Sequence, residues 1–271
     1  MSPLLAFRIV LLSALAFSIV TGFNFTDNDS TSMDGCRYVY LDVGTNIGMH
    51  ARFLYEADNY PKNKFGKEMF DRFFMKNRHR SDICAFGFEP NAAHVPRLDK
   101  LTTFLKKKGM NAAFFNGAVS NVTSTTTFYG DEADLNSGVG FSGLAQAGKN
   151  AKFTVNTIDL SAFILDKVVK RKIPPALFPN DPPPTILMKM DIEGYEYIVL
   201  PMMLATKVLC ELDVMTIEYH EKRSKAVPRG SDQKIKKQLK SAQKNGCKVK
   251  IFVFDDETYH LDTKQGLKEL E

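Results

Sequence analysis

The sequence predicts an α/β fold: a mostly parallel, twisted sheet with helices on both faces and one extra antiparallel element. Three observations predict it. From residue 37 onward, apolar β-type runs alternate with helix-type segments. The runs are rich in Val, Ile, Leu, Phe and Met, and several end in an acid followed by small polar residues. No internal repeat and no second domain boundary interrupt the alternation, and 271 residues suffice for one large α/β domain.

The chain opens with a leader. Arg8 precedes IVLLSALAFSIVTGF, an apolar run as long as a signal-peptide core and shorter than a comfortable membrane span. Val20 and Gly22 would stand at −3 and −1 of a cleavage after Gly22. A type II signal anchor is the alternative, because PLLAF lengthens the apolar stretch. Residues 1–22 thus read as signal peptide or anchor, 23–36 as a polar linker and 37–271 as the domain. The domain is expected in the secretory pathway, in the ER/Golgi lumen or secreted, or as a single-pass type II membrane protein if the leader stays. Acceptor sequons at Asn24, Asn28 and Asn121, and an even count of four cysteines, lean the same way.

RYVYLDVGT reads as the first buried strand and NIGMHARFLYEA as the helix after it. Residues 58–80 look like a charged, aromatic insertion with some helix around 68–76. ICAFGFEP is the second strand, followed by a helix through residues 98–108, and MNAAFFNGAVS is the third strand. TSTTTFYG and AKFTVNTI should pair as the antiparallel element, with a Gly-rich loop at 138–148 between them. LSAFILDKVVKRK is an amphipathic helix that Pro174 and Pro175 terminate, and residues 179–184 form a surface loop. PTILMKMDIEG is the fourth strand, YEYIVLPMMLA a helix broken at Pro201, and DVMTIEYH the fifth strand. A Lys-rich helix at 232–245 precedes the sixth strand, KVKIFVFDD, and ETYHLDT is a candidate for a short last one.

The formal net charge of +5 is modest, and Lys and Arg are scattered over residues 62–80, 106–108 and 222–250. Helical Lys rows of this kind are solvated faces, so no nucleic-acid partner is expected.

In open α/β sheets a ligand sits beyond the carboxyl ends of the strands. Those ends are residues 42–48, 89–91, 116–120, 191–193 and 218–220; they hold five carboxylates and no Lys or Arg. The turn Asp42-x-Gly44-x-x-x-Gly48 lacks the Gly-Lys-Ser/Thr of a P-loop and the spacing of a dinucleotide fingerprint. Phosphate wants backbone amides and cations, whereas an acidic rim suits a ligand with positive charge. S-adenosylmethionine carries a sulfonium, an ammonium and a ribose diol. Asp42 could meet its amino-acid end, and the two oxygens of Glu89 could accept both ribose hydroxyls. Gly44 and Gly48 would let the backbone approach, although Gly48 could equally serve helix–sheet packing and Asp42 a helix cap.

YLDVGTNIG, FGFEPN, NGAVS, VNTIDLSAFI and, above all, ILMKMDIEGYEYIVL followed by TIEYH resemble the FkbM-type methyltransferase family. The resemblance runs from Tyr38 to about His220. It implies a three-layer, Rossmann-like class I methyltransferase fold and S-adenosylmethionine as cofactor. By position, Asp42, Gly44, Thr45, Asn46 and Gly48 would form the methionine-side loop. Glu89, with Asn91 beside it, would hold the ribose, and Gly117 and Ala118 would border the adenine. Asp191, Glu193 and Glu196 would lie beside the acceptor. The insertion at 58–80 departs from the pattern and is expected to shape the acceptor pocket.

Methyl transfer to a hydroxyl needs alignment and a general base. Candidates are Asp191, Glu193, Glu218 and His220, with an acid of the DIEG block preferred and His220 second. A divalent metal on Asp191, Glu193 and Glu218 is conceivable, but no dense ligand spacing supports it and none is expected. Glu196 could simply favour the helix start. Cys36 and Cys84 lie near the starts of the first two strands, and Cys210 and Cys247 precede the fifth and sixth. A Cys36–Cys84 disulfide is therefore expected, far from the ligand end. The resulting expectation is an O-methyltransferase acting on a hydroxyl-bearing small molecule or glycan. The alternative is a non-catalytic lumenal binding protein that keeps the fold.

Overall fold

The computed structural model describes residues 33–74, 80–130, 151–176, 178–222 and 226–254. The expected leader, the sequons at Asn24 and Asn28, the expected Gly-rich loop at 138–148 and the ETYHLDT segment lie outside them. Among the described residues no helix is long and apolar enough to cross a membrane.

The first half runs β1 (Tyr38–Val43), α1 (Met49–Tyr55), β2 (Ile83–Glu89), α2 (Val95–Lys107) and β3 (Asn111–Asn116). Three short strands follow, β4 (Ala118–Ser120), β5 (Ser124–Gly130) and β6 (Ala151–Asp159), then α3 (Leu160–Phe163). The second half is β7 (Thr185–Met190), α4 (Glu196–Ala205), β8 (Val214–Ile217), α5 (Ser231–Lys244) and β9 (Lys250–Val253). Six strands make one sheet in the order β3-β2-β1-β7-β8-β9, every neighbouring pair parallel.

Both faces of this sheet are covered, which is why its strands are apolar along their whole length. In β1 the pleat sends Val39, Leu41 and Val43 into one core with Leu160, Phe163, Val199, Met203, Ile235 and Leu239, so α3, α4 and α5 cover that face. Tyr38 and Tyr40 point the other way, into a core with Phe53, Leu98, Leu101 and Leu105 of α1 and α2. The described part of the 58–80 insertion joins that second core. Phe65, Phe70 and Phe74 are fully buried there, and the Tyr40 ring meets Phe70 edge-on at 4.9 Å. The described part of this stretch is a helical wall of the domain, its aromatics buried in one core with Tyr38 and Tyr40 of β1 and Phe53 of α1.

Two local expectations are corrected. The third strand divides at Gly117, and β4 leaves the main sheet to pair parallel with β6, which pairs antiparallel with β5. The extra element is thus a mixed three-stranded sheet, β4-β6-β5. Glycine is required at the division: a Cβ on Gly117 would stand 2.7 Å from the Asn156 carbonyl oxygen. Pro201 does not break its helix; α4 runs through it from Glu196 to Ala205. The exposed Pro201 costs the helix one N–H, a loss that the burial of Val199, Leu200 and Met203 outweighs.

The expected Cys36–Cys84 disulfide is present, with Cα atoms 5.7 Å apart, and Cys210 pairs with Cys247 at 4.8 Å. Each joins neighbouring strands at the amino-terminal edge of the sheet, so all four cysteines of the sequence serve the scaffold.

Candidate active site

After β1 the chain builds β2 and β3 on one side, then returns to place β7 on the other, so the order reverses at β1. A crevice opens there beyond the carboxyl ends of β1, β2 and β7. Its walls are Val43, Gly44, Asn46, Phe88, Glu89, Ala118, Phe128, Asp191, Glu193 and Tyr195, and it encloses about 600 Å³ including its open mouth.

Gly44 begins the turn after β1 with φ +85°, and a Cβ on it would lie 1.8 Å from the carbonyl oxygen of Asp191. Only glycine lets β1 and β7 close that tightly. Gly44 and Thr45 both donate their N–H to the Phe88 carbonyl, and Asn46, itself left-handed at φ +51°, donates its N–H to Glu89 Oε2 at 2.8 Å. Gly48 does a different job. It stands just before α1, and a Cβ there would strike Leu101 and Leu98, so this glycine seats α1 against α2.

Glu89 ends β2 and is 7% exposed. Its Oε1 accepts the Asn91 N–H at 2.8 Å, and His94 Nδ1 lies 3.7 Å away. Burial pushes its carboxyl up to about 8, against the pull of the Asn91 and Asn46 amides and of Lys189. Asn91 is fully buried, its side chain accepting the Ala93 N–H to cap the turn Ala92–His94. Each Glu89 oxygen thus holds one loop amide and keeps a second acceptor direction.

On the side of β7 the charges alternate. Asp42 and Lys189 are register partners, so their side chains stand on the same face. Asp42 is 2% exposed; Thr45 Oγ1 donates to its Oδ2 at 2.7 Å, while Oδ1 has no hydrogen-bond partner and lies 3.9 Å from Lys189 Nζ. Lys189 Nζ donates to the Gly44 carbonyl and to Asp191 Oδ2, both at 3.1 Å. The strand ends are therefore not free of cations: an ammonium from two residues upstream reaches into them. Asp191 Oδ1 in turn faces His220 Nε2 at 3.6 Å. Burial works against the Asp191 charge, yet Lys189 and His220 hold its carboxyl below the ordinary carboxylate range.

His220 is 4% exposed and clamped by acids. Glu196, fully buried at the start of α4, takes the His220 backbone N–H at 2.7 Å and faces its Nδ1 at 3.2 Å, while its other oxygen takes the Gly194 N–H. Glu218 Oε1 lies 3.0 Å from Nε2. Burial disfavours the ring's charge, but the Glu196 and Glu218 contacts prevail and lift it to about 10. Carboxylates that favour the doubly protonated ring make His220 a poor base and a cationic post among them.

The model of the methyltransferase FkbM domain matches residues 42–242. That match spans the crevice, both clusters around Glu89 and His220, and most of the chain. The chain belongs to the FkbM methyltransferase family. Among solved structures, methyltransferase FkbM from Methylobacillus flagellatus KT is similar at 13% identity, with a TM-score of 0.33, over 66% of this chain and 31% of its own. This chain thus matches less than a third of that protein's length. No curated protein matches the sequence.

In this FkbM-family chain, the crevice gathers Gly44, Asn46, Glu89, Ala118, Asp191 and Glu193 of the residues singled out from sequence. Gly117 borders it through its N–H to the Glu89 carbonyl. Thr45, Gly48 and Asn91 stand behind, holding Asp42, α1 and Glu89 respectively. Glu218 and His220 open onto a second hollow with Tyr219, Glu221, Lys222 and Asp232. Two further residues of the site carry little signal in the sequence. Lys189 lies in the K-x-D-x-E-G-x-E block at strand spacing from Asp191, which puts both on one face. Glu196 in the same block was an acid in a helix's first turn, with no sequence sign of its bond to His220.

Proposed function

We propose that this chain is an S-adenosylmethionine-dependent O-methyltransferase acting on a hydroxyl-bearing small molecule or glycan. The observation that carries the reading is Glu89: a buried acid at the end of β2, fixed by two loop amides, with acceptor capacity left toward the crevice. The residues fit the cofactor. Gly44 and Asn46 offer close backbone approach, Asp42 holds a buried oxygen without a hydrogen-bond partner, and Ala118 with Phe128 gives an apolar wall for a base. Lys189, the ammonium that reaches into the strand ends, is engaged by Gly44 and Asp191 and does not stand ready for phosphate.

When bound, the cofactor supplies a methyl group activated by its sulfonium. The chain's own residues orient and deprotonate the acceptor. Asp191 is held as a carboxylate by its cationic neighbours, which lowers its basicity. Glu193 on the crevice wall and Glu218 beside His220 are the acids suited to take the hydroxyl proton. His220 and Lys189 keep this group of carboxylates in place. Two disulfides, Cys36–Cys84 and Cys210–Cys247, support a site of action in the oxidising secretory lumen, or outside the cell.

Calorimetric titration with S-adenosylmethionine is the test, followed by transfer of labelled methyl to glycans, lipids and small alcohols. Absence of binding by folded protein would sink the enzyme reading. Binding without transfer to any hydroxyl would leave a lumenal binding protein.

A further inference from the structure

We propose that Asp191, Glu193 and His220, with Glu218 beside them, form a binding site for a divalent cation of the Mn²⁺ or Zn²⁺ type. Asp191, Glu193 and His220 each offer one ligand atom, all within 4.8 Å of one another. Three carboxylates around one point would by themselves describe a solvated acidic patch. The imidazole makes the difference. His220 is buried, with Nε2 turned to Glu218 Oε1 and Asp191 Oδ1.

Its other nitrogen is backed by Glu196, which no solvent reaches and which also fixes the His220 main chain and the Gly194 turn. A carboxylate behind a buried imidazole sets the ring orientation and leaves Nε2 as the ligating atom, the arrangement that metal-binding histidines use.

Spacing agrees with this. Adjacent ligands of an octahedral ion, at about 2.1 Å from it, lie about 3.0 Å apart. Glu218 Oε1 and His220 Nε2 are separated by 3.0 Å, and Asp191 Oδ1 and Nε2 by 3.6 Å. The cation would take the place of the ring proton and draw the oxygens in. One imidazole among oxygens selects Mn²⁺ or Zn²⁺ over Ca²⁺, which prefers an all-oxygen shell. A cation here would also meet an acceptor hydroxyl and share in its deprotonation. That use rests on the proposed methyl transfer; the binding itself does not.

The test uses the whole chain, stripped of metal and without cofactor, titrated with MnCl₂ while free Mn²⁺ is followed by paramagnetic resonance. One Mn²⁺ per chain is expected, displaced by Zn²⁺ and not by equal Ca²⁺. Glu193→Gln and Glu196→Gln should each weaken binding by about tenfold or more, the first through a ligand and the second through ring orientation. Glu193 is only partly buried, so its variant remains folded and decides the matter if Glu196→Gln does not fold. Failure to bind Mn²⁺ up to millimolar concentration would overturn the proposal, as would equal binding by Glu193→Gln. Titrating S-adenosylmethionine into the same samples separates this failure from failure of the methyltransferase reading.

Discussion

On the proposed reading, Glu89 would make ribose binding depend on pH, with a sign fixed by its surroundings. Burial raises its carboxyl from 4.5 to about 8, so at pH 7 the group is mostly protonated. Accepting two ribose hydroxyls requires the carboxylate. With a folded value near 8, roughly a tenth of Glu89 is ionised at pH 7, and ionising the rest costs about 1.4 kcal/mol, a factor of ten in affinity. Affinity should rise about ninefold from pH 6 to pH 7 and about fivefold from pH 7 to pH 8, and level off above pH 9. Stability of the free protein runs the other way. A raised acid contributes fully below its unfolded value near 4.5, and that contribution is lost as pH rises through about 8. Adenosine is the right probe: it carries the diol but no group that titrates near neutral pH. Calorimetry from pH 6 to pH 9, in two buffers of different ionisation enthalpy, should show nearly one proton released at pH 7. Glu89→Gln should bind weakly and without pH dependence. Affinity that stays flat between pH 6 and pH 8 in the wild type would refute the reasoning.

Other perturbations test the scaffold. Gly44→Ala forces a Cβ to 1.8 Å from the Asp191 carbonyl at a left-handed residue, so denaturant melts should fall by roughly 3 kcal/mol and cofactor binding should vanish. Lys189→Met leaves Asp42 and Asp191 without their shared ammonium; a loss of roughly 3 kcal/mol is expected, partly restored in the double variant with Asp191→Asn. Removing the Cys36–Cys84 bridge frees a loop of 48 residues, and chain-entropy arguments put the loss near 4 kcal/mol, read as a lower melting midpoint with cofactor affinity unchanged.

What the sequence disclosed and what it withheld follow one physical division. Buried parallel strands must be apolar throughout, so their positions stand out, and the acids that end them mark the crevice before any coordinates exist. Gly44 and Glu89 were legible for that reason. The Cys36–Cys84 pair was legible too, since only neighbouring strand starts bring those residues within reach. Register between strands distant in sequence is different, because it is set by packing of the whole sheet. Asp42 opposite Lys189 is such a contact, and it makes this acid one end of a buried ion-paired row while its Oδ1 stays without a hydrogen-bond partner. The same holds for Glu196, whose bond to His220 spans 24 residues and joins two strand ends through a helix start.

These hidden contacts bear on the chemistry most directly. A histidine at a strand end suggests a base when read alone. Surrounded by Glu196, Glu218 and Asp191 it is held toward its cationic form, and in the proposed methyl transfer the proton-accepting role would pass to the neighbouring acids. The DIEGYE block therefore acts as one unit. Asp191 and Glu193 face the crevice, while Gly194 and Glu196 anchor the turn that holds them there. A change at Glu196 should disturb that geometry although its own side chain is fully buried.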